Sequence, residues 1–257
     1  MKIAFLLLTL IVAVSLIAQT DTLPSGVYSW SNAKPEKTLT GERRQVLKGS
    51  TLDLAGLEIH TSTLSPGKTN HPPRAYNNRE ELIIVKEGTL KLTIKDSSKI
   101  LGAGGLALIV AGDEQSFSNP SDKPVTYYVL VYTAKDLVNI QRGQQMGSFI
   151  KDWKELEVKK TDKGESRPIF DRPSSMFPRF DVHATALNPG MSSHAPHTHR
   201  AEEIILMMKG NVEEFIGTAS HKAKAGDVIL LNSNIPHAIT NTGKVQCGYF
   251  AIQWHNQ

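Results

Sequence analysis

Residues 194–203 read HAPHTHRAEE, a stretch with three histidines followed by two glutamates. Imidazoles and carboxylates are ligands for divalent first-row metals, so residues of these types at this spacing can form a metal site. On a β-strand, side chains two apart share a face, which would direct His197 and His199 together, and Glu203 has the same parity unless a turn intervenes. The alternative is a solvated polar loop that binds nothing. The sequence around the stretch has to distinguish the two.

The chain contains two copies of one unit. When the sequence is aligned with itself, HTSTLSPG at 60–67 matches HATALNPG at 183–190. The similarity extends over residues 30–132 and 153–254, and a fixed internal repeat indicates a duplicated structural unit. The segment from Asp136 to the second copy is expected to be a connector with a short helix.

Both copies consist of short apolar runs separated by glycine, proline and asparagine, such as ELIIVKEG and TYYVLVY in the first and EEIILMMKG and YFAIQW in the second. Runs of this length, rich in β-branched residues, predict strands rather than helices. IILMM is apolar at every position, as expected where one strand face lines a barrel and the other is covered by a second sheet or domain. The pattern predicts an all-β chain of two jelly-roll barrels. Trp30 and Trp153, which match in the repeat, are expected in equivalent places at the start of each barrel.

The second copy resembles the cupin superfamily. The first motif of that family contains a glycine, H-x-H, a glutamate and a second glycine, and here it corresponds to Gly190, His197, His199, Glu203 and Gly210. Six residues separate Gly190 from His197 where the family usually has five.

The second family motif corresponds to GDVILLNSNIPHAITN, in which Gly226, His237 and Asn241 are in place. Asn232 and Asn234 stand where the family usually has proline and glycine. The resemblance implies a bicupin, with two tandem cupin β-barrels arranged as a pseudo-twofold pair. The expected domains are an N-terminal cupin domain at residues 28–150 and a C-terminal cupin domain at residues 151–257.

The resemblance also implies that one divalent metal is bound in the C-terminal barrel, by His197, His199, Glu203 and His237. The residues agree with this, because His237 comes from a distant strand and can close a coordination sphere across a barrel. Three imidazoles and one carboxylate suit manganese, iron, nickel, copper or zinc, and leave positions open for water or substrate. One metal per chain is expected.

The first copy lacks this set. Its matching stretch, HPPRAYNNREE, places Arg74 and Tyr76 opposite His197 and His199 in one register, and Ala75 and Asn77 there in the other. Gln115 stands opposite His237, so His71, Glu81 and Gln115 would bind metal poorly. The first barrel is therefore expected to be a structural partner or a separate pocket for a small ligand.

Four further histidines form two matched pairs in the repeat, His71 with His194 and His60 with His183. Because they persist where the metal set is lost, we interpret them as structural rather than ligating. Met207 and Met208 are interpreted as core filling. Glu202 is expected to face away from Glu203, as a solvated or partner-facing carboxylate.

The N-terminus has the layout of a signal peptide over residues 1–19, with Lys2, an apolar run from Ile3 to Ile17 and cleavage near residues 18–20. The run is shorter than the roughly 20 residues that span a bilayer, so no stable membrane anchor is expected. The protein is therefore expected to be exported, to the periplasm or outside the cell. The only cysteine is Cys247, so no intramolecular disulfide forms.

The formal net charge is +4 and the basic residues are scattered, which argues against nucleic acid as a partner. A small-molecule ligand or substrate is the expected partner, and the sequence leaves homo-oligomers open. The resemblance includes cupin dioxygenases, decarboxylases, isomerases and ureidoglycine aminohydrolases, and fold alone does not choose among them. A metal-dependent enzyme acting on a small oxygen- or nitrogen-rich molecule is expected, with an oxygenase-type or related lyase or hydrolase reaction in the C-terminal barrel and no catalytic acid or base assigned. The alternative is a non-catalytic protein that binds a small carboxylate or sugar and uses the metal structurally.

Overall fold

The computed structural model describes residues 22–136 and 138–256, so the expected signal peptide lies outside the described residues. The strands up to the connector are β1 (Gly26–Tyr28), β2 (Pro35–Thr38), β3 (Gly41–Gly49), β4 (Leu54–Leu64), β5 (Glu80–Glu87), β6 (Leu90–Ile94), β7 (Ser97–Leu101), β8 (Leu106–Ile109), β9 (Gln115–Ser118) and β10 (Val125–Ala134). The following strands are β11 (Phe149–Lys151), β12 (Lys159–Thr161), β13 (Gly164–Arg172), β14 (Arg179–Leu187), β15 (Glu202–Lys209), β16 (Asn211–Ile216), β17 (Ala219–Lys224), β18 (Val228–Leu231), β19 (His237–Asn241) and β20 (Cys247–His255).

Each repeat forms a barrel from one seven-stranded and one three-stranded sheet. In the first barrel the strand orders are β11-β8-β5-β10-β4-β3-β2 and β7-β6-β9. In the second they are β1-β18-β15-β20-β14-β13-β12 and β17-β16-β19. Matching strands occupy matching positions in the two barrels, which confirms the predicted all-β fold and the pair of jelly-roll units.

The apolar runs bury both of their faces. In β15, Ile205 and Met207 lie in a core inside the second barrel, whereas Ile204 and Leu206 lie in a core shared by the two barrels. Met208 packs against this shared core. Met207 therefore fills space in the core, Met208 is only partly buried, and burial on two faces explains why IILMM is apolar throughout.

The two barrels exchange their first strands. β1 pairs with β18 of the second barrel, where Gly26 lies opposite Leu230. β11 pairs with β8 of the first barrel, where Phe149 lies opposite Leu108. The large sheet of each barrel therefore ends in a strand that comes from the chain segment preceding the other barrel.

The two matched tryptophans have equivalent surroundings. Each begins a short 3-10 helix, Trp30–Asn32 and Trp153–Glu155. The ring of Trp30 packs edge-on against Tyr128 at 6.0 Å between centroids, and that of Trp153 packs in the same way against Phe250 at 5.9 Å. Tyr128 and Phe250 match in the repeat, so the expected pseudo-twofold relation holds at the level of single side chains.

Glu202 joins the two barrels. Its side chain is fully buried and accepts hydrogen bonds from four donors: Thr51 Oγ1 at 2.6 Å, the backbone N of Leu52 at 3.0 Å, the backbone N of Asp53 at 3.1 Å and Trp254 Nε1 at 3.0 Å. Three of these donors belong to the first barrel. The expectation that Glu202 faces away from Glu203 is confirmed. The expectation that its carboxylate is solvated is wrong, because the core shared by the two barrels covers this face of β15.

The connector contains one helix, α1 (Ile140–Met146), as expected. The side chain of Asn139 caps it by accepting a hydrogen bond from the backbone N of Arg142 at 2.9 Å. Within residues 22–136 and 138–256, no helix is long and apolar enough to cross a bilayer.

Candidate metal centre

The loop before β15 and the start of β19 bring the predicted ligands together. His197 and His237 form an isolated antiparallel bridge, in which each backbone N donates to the carbonyl oxygen of the other residue, at 3.2 and 3.0 Å. The backbone N of Asn234 donates to the carbonyl oxygen of His199 at 2.8 Å. Asn234 has φ 59°, the left-handed conformation for which glycine is better suited. Asparagine tolerates this conformation, so the departure from the family motif does not prevent the turn.

Glu203 lies at the centre of the cluster. Its side chain is 5% exposed, and its Oε2 lies 3.2 Å from Nε2 of His199 and 3.5 Å from Nε2 of His237. The ligating atoms of these three residues lie within 4.8 Å of one another. The nitrogens of His194, His197 and His237 form a second such group. All four predicted ligands therefore lie in one cluster, in which His237 belongs to both groups.

The hydrogen bonds of the ring nitrogens favour a bound cation. Nδ1 of His199 lies 2.8 Å from the carbonyl oxygen of Ala201, and Nδ1 of His237 lies 2.9 Å from that of Ile235. A carbonyl only accepts, so both Nδ1 atoms carry the hydrogen and both Nε2 atoms of neutral rings present lone pairs. These lone pairs face Glu203, an arrangement of acceptors that is stable only with a proton or a metal ion among them. The donor set therefore fits a divalent metal.

The charge states of Glu203, His197 and His194 match those of metal ligands, whereas the pKa of His199 is raised, chiefly by its contact with Glu203, a contact in which a metal ion would take the place of the proton. Burial alone would raise the pKa of Glu203, but contacts with His199 and His237 lower it to about 2. Burial is the main factor that lowers the pKa of His197 and of His194, and the neighbouring imidazoles add to the effect. The carboxylate is thus ionised and these two rings are neutral at pH 7, which are the forms that bind metals.

His194 is closer to the cluster than its structural interpretation implied. Its ring centroid lies 4.0 Å from that of His197 and 6.0 Å from that of His237. Its Nδ1 lies 3.0 Å from the carbonyl oxygen of Ala195, which leaves Nε2 free as a ligand. Comparison of the two repeats missed this. His194 is matched by His71 in the barrel that lacks the metal ligands, so the repeat favours a structural interpretation of both histidines.

The other three matched histidines lie outside the ligating groups found among the described residues. Nδ1 of His60 lies 3.0 Å from a carboxylate oxygen of Glu58, and Nδ1 of His183 lies 3.4 Å from one of Asp181. These contacts agree with the structural interpretation of His60 and His183.

A cavity of about 340 Å³ adjoins the cluster. Its wall contains His197, Glu203 and His237 together with Lys163 and Glu214. A small organic molecule can therefore reach the ligand atoms without displacing the barrel strands.

Glu214 is a candidate functional residue that was not predicted. It is 1% exposed, and its Oε2 has no hydrogen-bond partner. Burial, with a further contribution from the negative charge of Glu203, raises the pKa of Glu214 to about 8. A carboxyl group that keeps its proton at pH 7 can act as an acid. The sequence repeat could have identified Glu214, because a glutamate here stands at the position of Leu92, a buried core residue of the first barrel.

The structure of the first barrel shows which of the two proposed alignments with the metal motif is correct. Arg74 and Gln115 form the bridge that corresponds to the bridge of the second barrel, with backbone hydrogen bonds of 3.1 and 2.9 Å. Arg74 and Tyr76 therefore stand opposite His197 and His199, and the alternative register is wrong.

Glu81, the counterpart of Glu203, is already paired. Its carboxylate accepts a hydrogen bond from Arg79 Nη2 at 2.9 Å and one from Gln115 Nε2 at 3.2 Å. Among the described residues, the groups that could hold a metal lie only in the second barrel. An arginine thus supplies the positive charge that a metal would bring.

Comparison with solved structures shows the same architecture. AerE from Microcystis aeruginosa has 18% identity and a TM-score of 0.65, over 87% of this chain and 97% of that chain. The oxalate decarboxylase of Lactobacillus farciminis, solved as a formate complex, has 14% identity and a TM-score of 0.69, over 94% and 89%. The oxalate decarboxylase of Bacillus subtilis, studied for its Mn(II) centres, has 13% identity and a TM-score of 0.69, over 94% and 80%. At these identities the similarity establishes the fold alone.

No curated protein matches the sequence. The cupin domain family matches the chain twice, over residues 60–132 and 184–252. These segments fall in the first and second barrels and contain His71, Glu81 and Gln115 in one and all four predicted ligands in the other. The chain therefore belongs to the cupin family and is a bicupin, with two cupin domains in tandem.

Proposed function

We propose that this bicupin is an exported, metal-dependent enzyme that acts on a small oxygen- or nitrogen-rich molecule in the cavity of the second barrel. The observation that carries the proposal is the convergence of Nε2 of His199 and Nε2 of His237 on the buried carboxylate of Glu203, a set of acceptors that a metal ion would satisfy. The similarity to oxalate decarboxylases, one of them described with Mn(II) centres, supports metal chemistry on this fold. The signal-peptide layout supports export.

The residues that would hold the metal are His197, His199, Glu203 and His237. A bound divalent metal supplies a Lewis acid that polarises a substrate oxygen or lowers the pKa of a bound water. Manganese, iron, nickel, copper and zinc all suit this donor set, and their availability contributes to the choice.

Two further residues of the chain have roles in the proposed reaction. Glu214 holds a proton on a carboxyl group that lines the cavity, and it donates this proton to the substrate. Lys163 lines the same cavity, and its Nζ donates to the carbonyl oxygen of Ser193 at 2.8 Å. Its charge favours an anionic substrate. The unpartnered Glu214 carboxyl favours catalysis over a purely structural metal, since a structural site needs no proton donor.

A substrate screen tests the proposed function. We expect metal-loaded protein to convert at least one compound among small keto acids, oxalate, aromatic diols and ureido compounds, and His197→Ala to lose the activity. Turnover is measured by product analysis, with His221→Ala as control, because His221 is an exposed histidine outside the cluster. A compound that binds equally to the wild type and to His197→Ala, with no turnover of any compound, would show a binding protein instead.

Replacing Glu214 by glutamine is expected to lower kcat by about 100-fold or more, since proton transfer by a positioned acid contributes about 10²–10⁴-fold. The metal content should stay unchanged, because Glu214 is outside the ligating groups. Glu213→Gln is the matched control, as Glu213 precedes it on β16 and is only partly buried. Steady-state kinetics and elemental analysis are the two measurements.

Stability provides a readout independent of activity. The pKa of Glu214 is about 8 in the folded protein against 4.5 for an ordinary glutamate. The unfolded chain therefore releases this proton first, and Glu214 reduces the stability of the metal-free protein progressively as pH rises from 4.5 to 8. Glu214→Gln should remove that decrease in denaturant melts. A wild-type rate in Glu214→Gln would refute the role as proton donor.

A further inference from the structure

The first barrel has a cavity of its own, of about 290 Å³. Three arginines line it, Arg43, Arg74 and Arg79, and the wall also contains His71 and Tyr127. Loss of the metal ligands has therefore not filled this barrel. It has replaced a metal site by a cavity whose wall holds three arginines and three glutamates.

The acids of this cavity are all neutralised by other residues. Glu42 pairs with Arg44 at 2.8 Å, Glu58 with Arg43 at 2.5 Å and Glu81 with Arg79 at 2.9 Å. By contrast, Arg74 has no carboxylate within 4.0 Å in the described part of the chain. Its guanidinium lies 5.0 Å from the ring centroid of Tyr76, beside which it is held. One positive charge in the cavity is thus left uncompensated.

Residues with unpartnered polar atoms line the same cavity. Nδ1 of His71 lies 2.7 Å from the carbonyl oxygen of Pro72 and therefore carries the hydrogen. Burial lowers the pKa of His71, so its ring is neutral at pH 7 and its buried Nε2 is an acceptor without a donor. Nε of Arg79 is a buried donor without an acceptor. The fully buried Tyr127 hydroxyl lies beside Ser62 and Asn70 but has hydrogen-bond geometry to neither.

We propose that the cavity of the first barrel binds a small monocarboxylate that also carries a hydroxyl group. The carboxylate pairs with the guanidinium of Arg74 and accepts from the unpartnered donors of Arg79 and Tyr127. The hydroxyl donates to Nε2 of His71. Such a ligand satisfies the polar atoms that the protein leaves unpaired, whose burial without partners costs stability.

The charge balance selects a carboxylate over a phosphate. One uncompensated guanidinium matches a single negative charge, and its planar donors fit the two oxygens of a carboxylate. A phosphate would bring up to two negative charges into a cavity that also contains the carboxylates of Glu58 and Glu81. Hydrogen bonding to His60 is the main cause that lowers the pKa of Glu58 to about 2, so this group stays ionised.

Calorimetric titration of the full chain with L-lactate tests the proposal, with acetate, lactamide and inorganic phosphate for comparison. The titration uses His237→Ala, in which the metal cluster is disrupted, beside the metal-loaded wild type. We expect one lactate per chain in His237→Ala, weaker binding of acetate and phosphate, and no binding of lactamide. Arg74→Gln in the same background should weaken lactate at least about tenfold, the loss of one charge-assisted contact. Lys91→Gln, which removes an exposed cation of the same barrel, should change nothing.

Three results would overturn the proposal. Lactate binding in the wild type but not in His237→Ala would place the ligand at the metal cluster and leave the proposed enzyme function intact. Tighter binding of phosphate than of lactate would contradict the carboxylate assignment. Unchanged affinity in Arg74→Gln would remove the residue on which the site depends. Arg74 is exposed, so its replacement should leave the thermal midpoint unchanged and the comparison valid.

Discussion

Full-length protein purified without chelator is expected to contain one divalent metal per chain, and Glu203→Gln or His237→Ala should leave it nearly metal-free. Glu203 is the buried anion of the cluster, and its replacement by an amide removes the charge that offsets a divalent cation. His237 belongs to both ligating groups, so its loss disrupts each of them. Even partners outside a coordination sphere typically contribute about 10–100-fold to metal affinity, and a ligand should contribute more.

Elemental analysis after dialysis measures this loss directly. Two substitutions outside the second barrel's cluster serve as controls. His221→Ala removes an exposed histidine, and Glu81→Gln alters the counterpart of Glu203 in the first barrel. Both proteins should keep one metal per chain. Two metals in the wild type, or retention in both cluster variants, would mean that the first barrel also binds metal or that other residues are the ligands.

Replacing Glu202 by alanine is expected to lower the free energy of unfolding by about 3–5 kcal/mol, since each buried donor that loses its acceptor costs about 1–3 kcal/mol. The change leaves the donors of Thr51, Leu52, Asp53 and Trp254 without their acceptor in the shared core. Metal binding should be preserved, because this side chain points away from the cluster. Adjacent glutamates thus have separate effects, Glu202 on stability and Glu203 on metal content.

Urea unfolding of metal-free protein, followed by tryptophan fluorescence, gives the required free energies. Glu157→Ala is a suitable control, since Glu157 is exposed and takes part in none of the described ion pairs. A change of less than about 1 kcal/mol in Glu202→Ala, which is the range of surface contacts, would show that the four hydrogen bonds contribute little.

The sequence predicted the fold because the duplication doubled every signal. An apolar pattern or a single glycine or tryptophan is ambiguous when it occurs in one segment only. It becomes informative when it recurs at the matching position of a second segment, as Trp30 and Trp153 do. Alternation along β15 also predicted that Glu202 and Glu203 face opposite ways. The strand exchange was not predicted, because β1 and β11 are three residues long and carry no periodicity of their own.

Prediction of the site was limited by tertiary packing. His194 has the same type of residue at its matched position, so comparison of the repeats could not connect it with the metal cluster. Glu214 lies on a strand whose other buried positions are apolar, and only its match with Leu92 marks it. Three of the four partners of Glu202 come from a distant part of the chain, about 150 residues away, and no local pattern could identify them.

The exchange of β1 and β11 has the geometry of arm exchange in a twofold dimer. In a homodimer, symmetry would make the two cavities identical, so any substitution would change both. Here the connector with α1 joins the halves, and each arm finds its sheet at an effective concentration that does not depend on the amount of protein. The copies are then free to differ, which is how Arg74 can occupy the position that His197 keeps. Covalent linkage thus maintains two unlike cavities in a one-to-one ratio. The exchanged strands β1 and β11 hold the two barrels together.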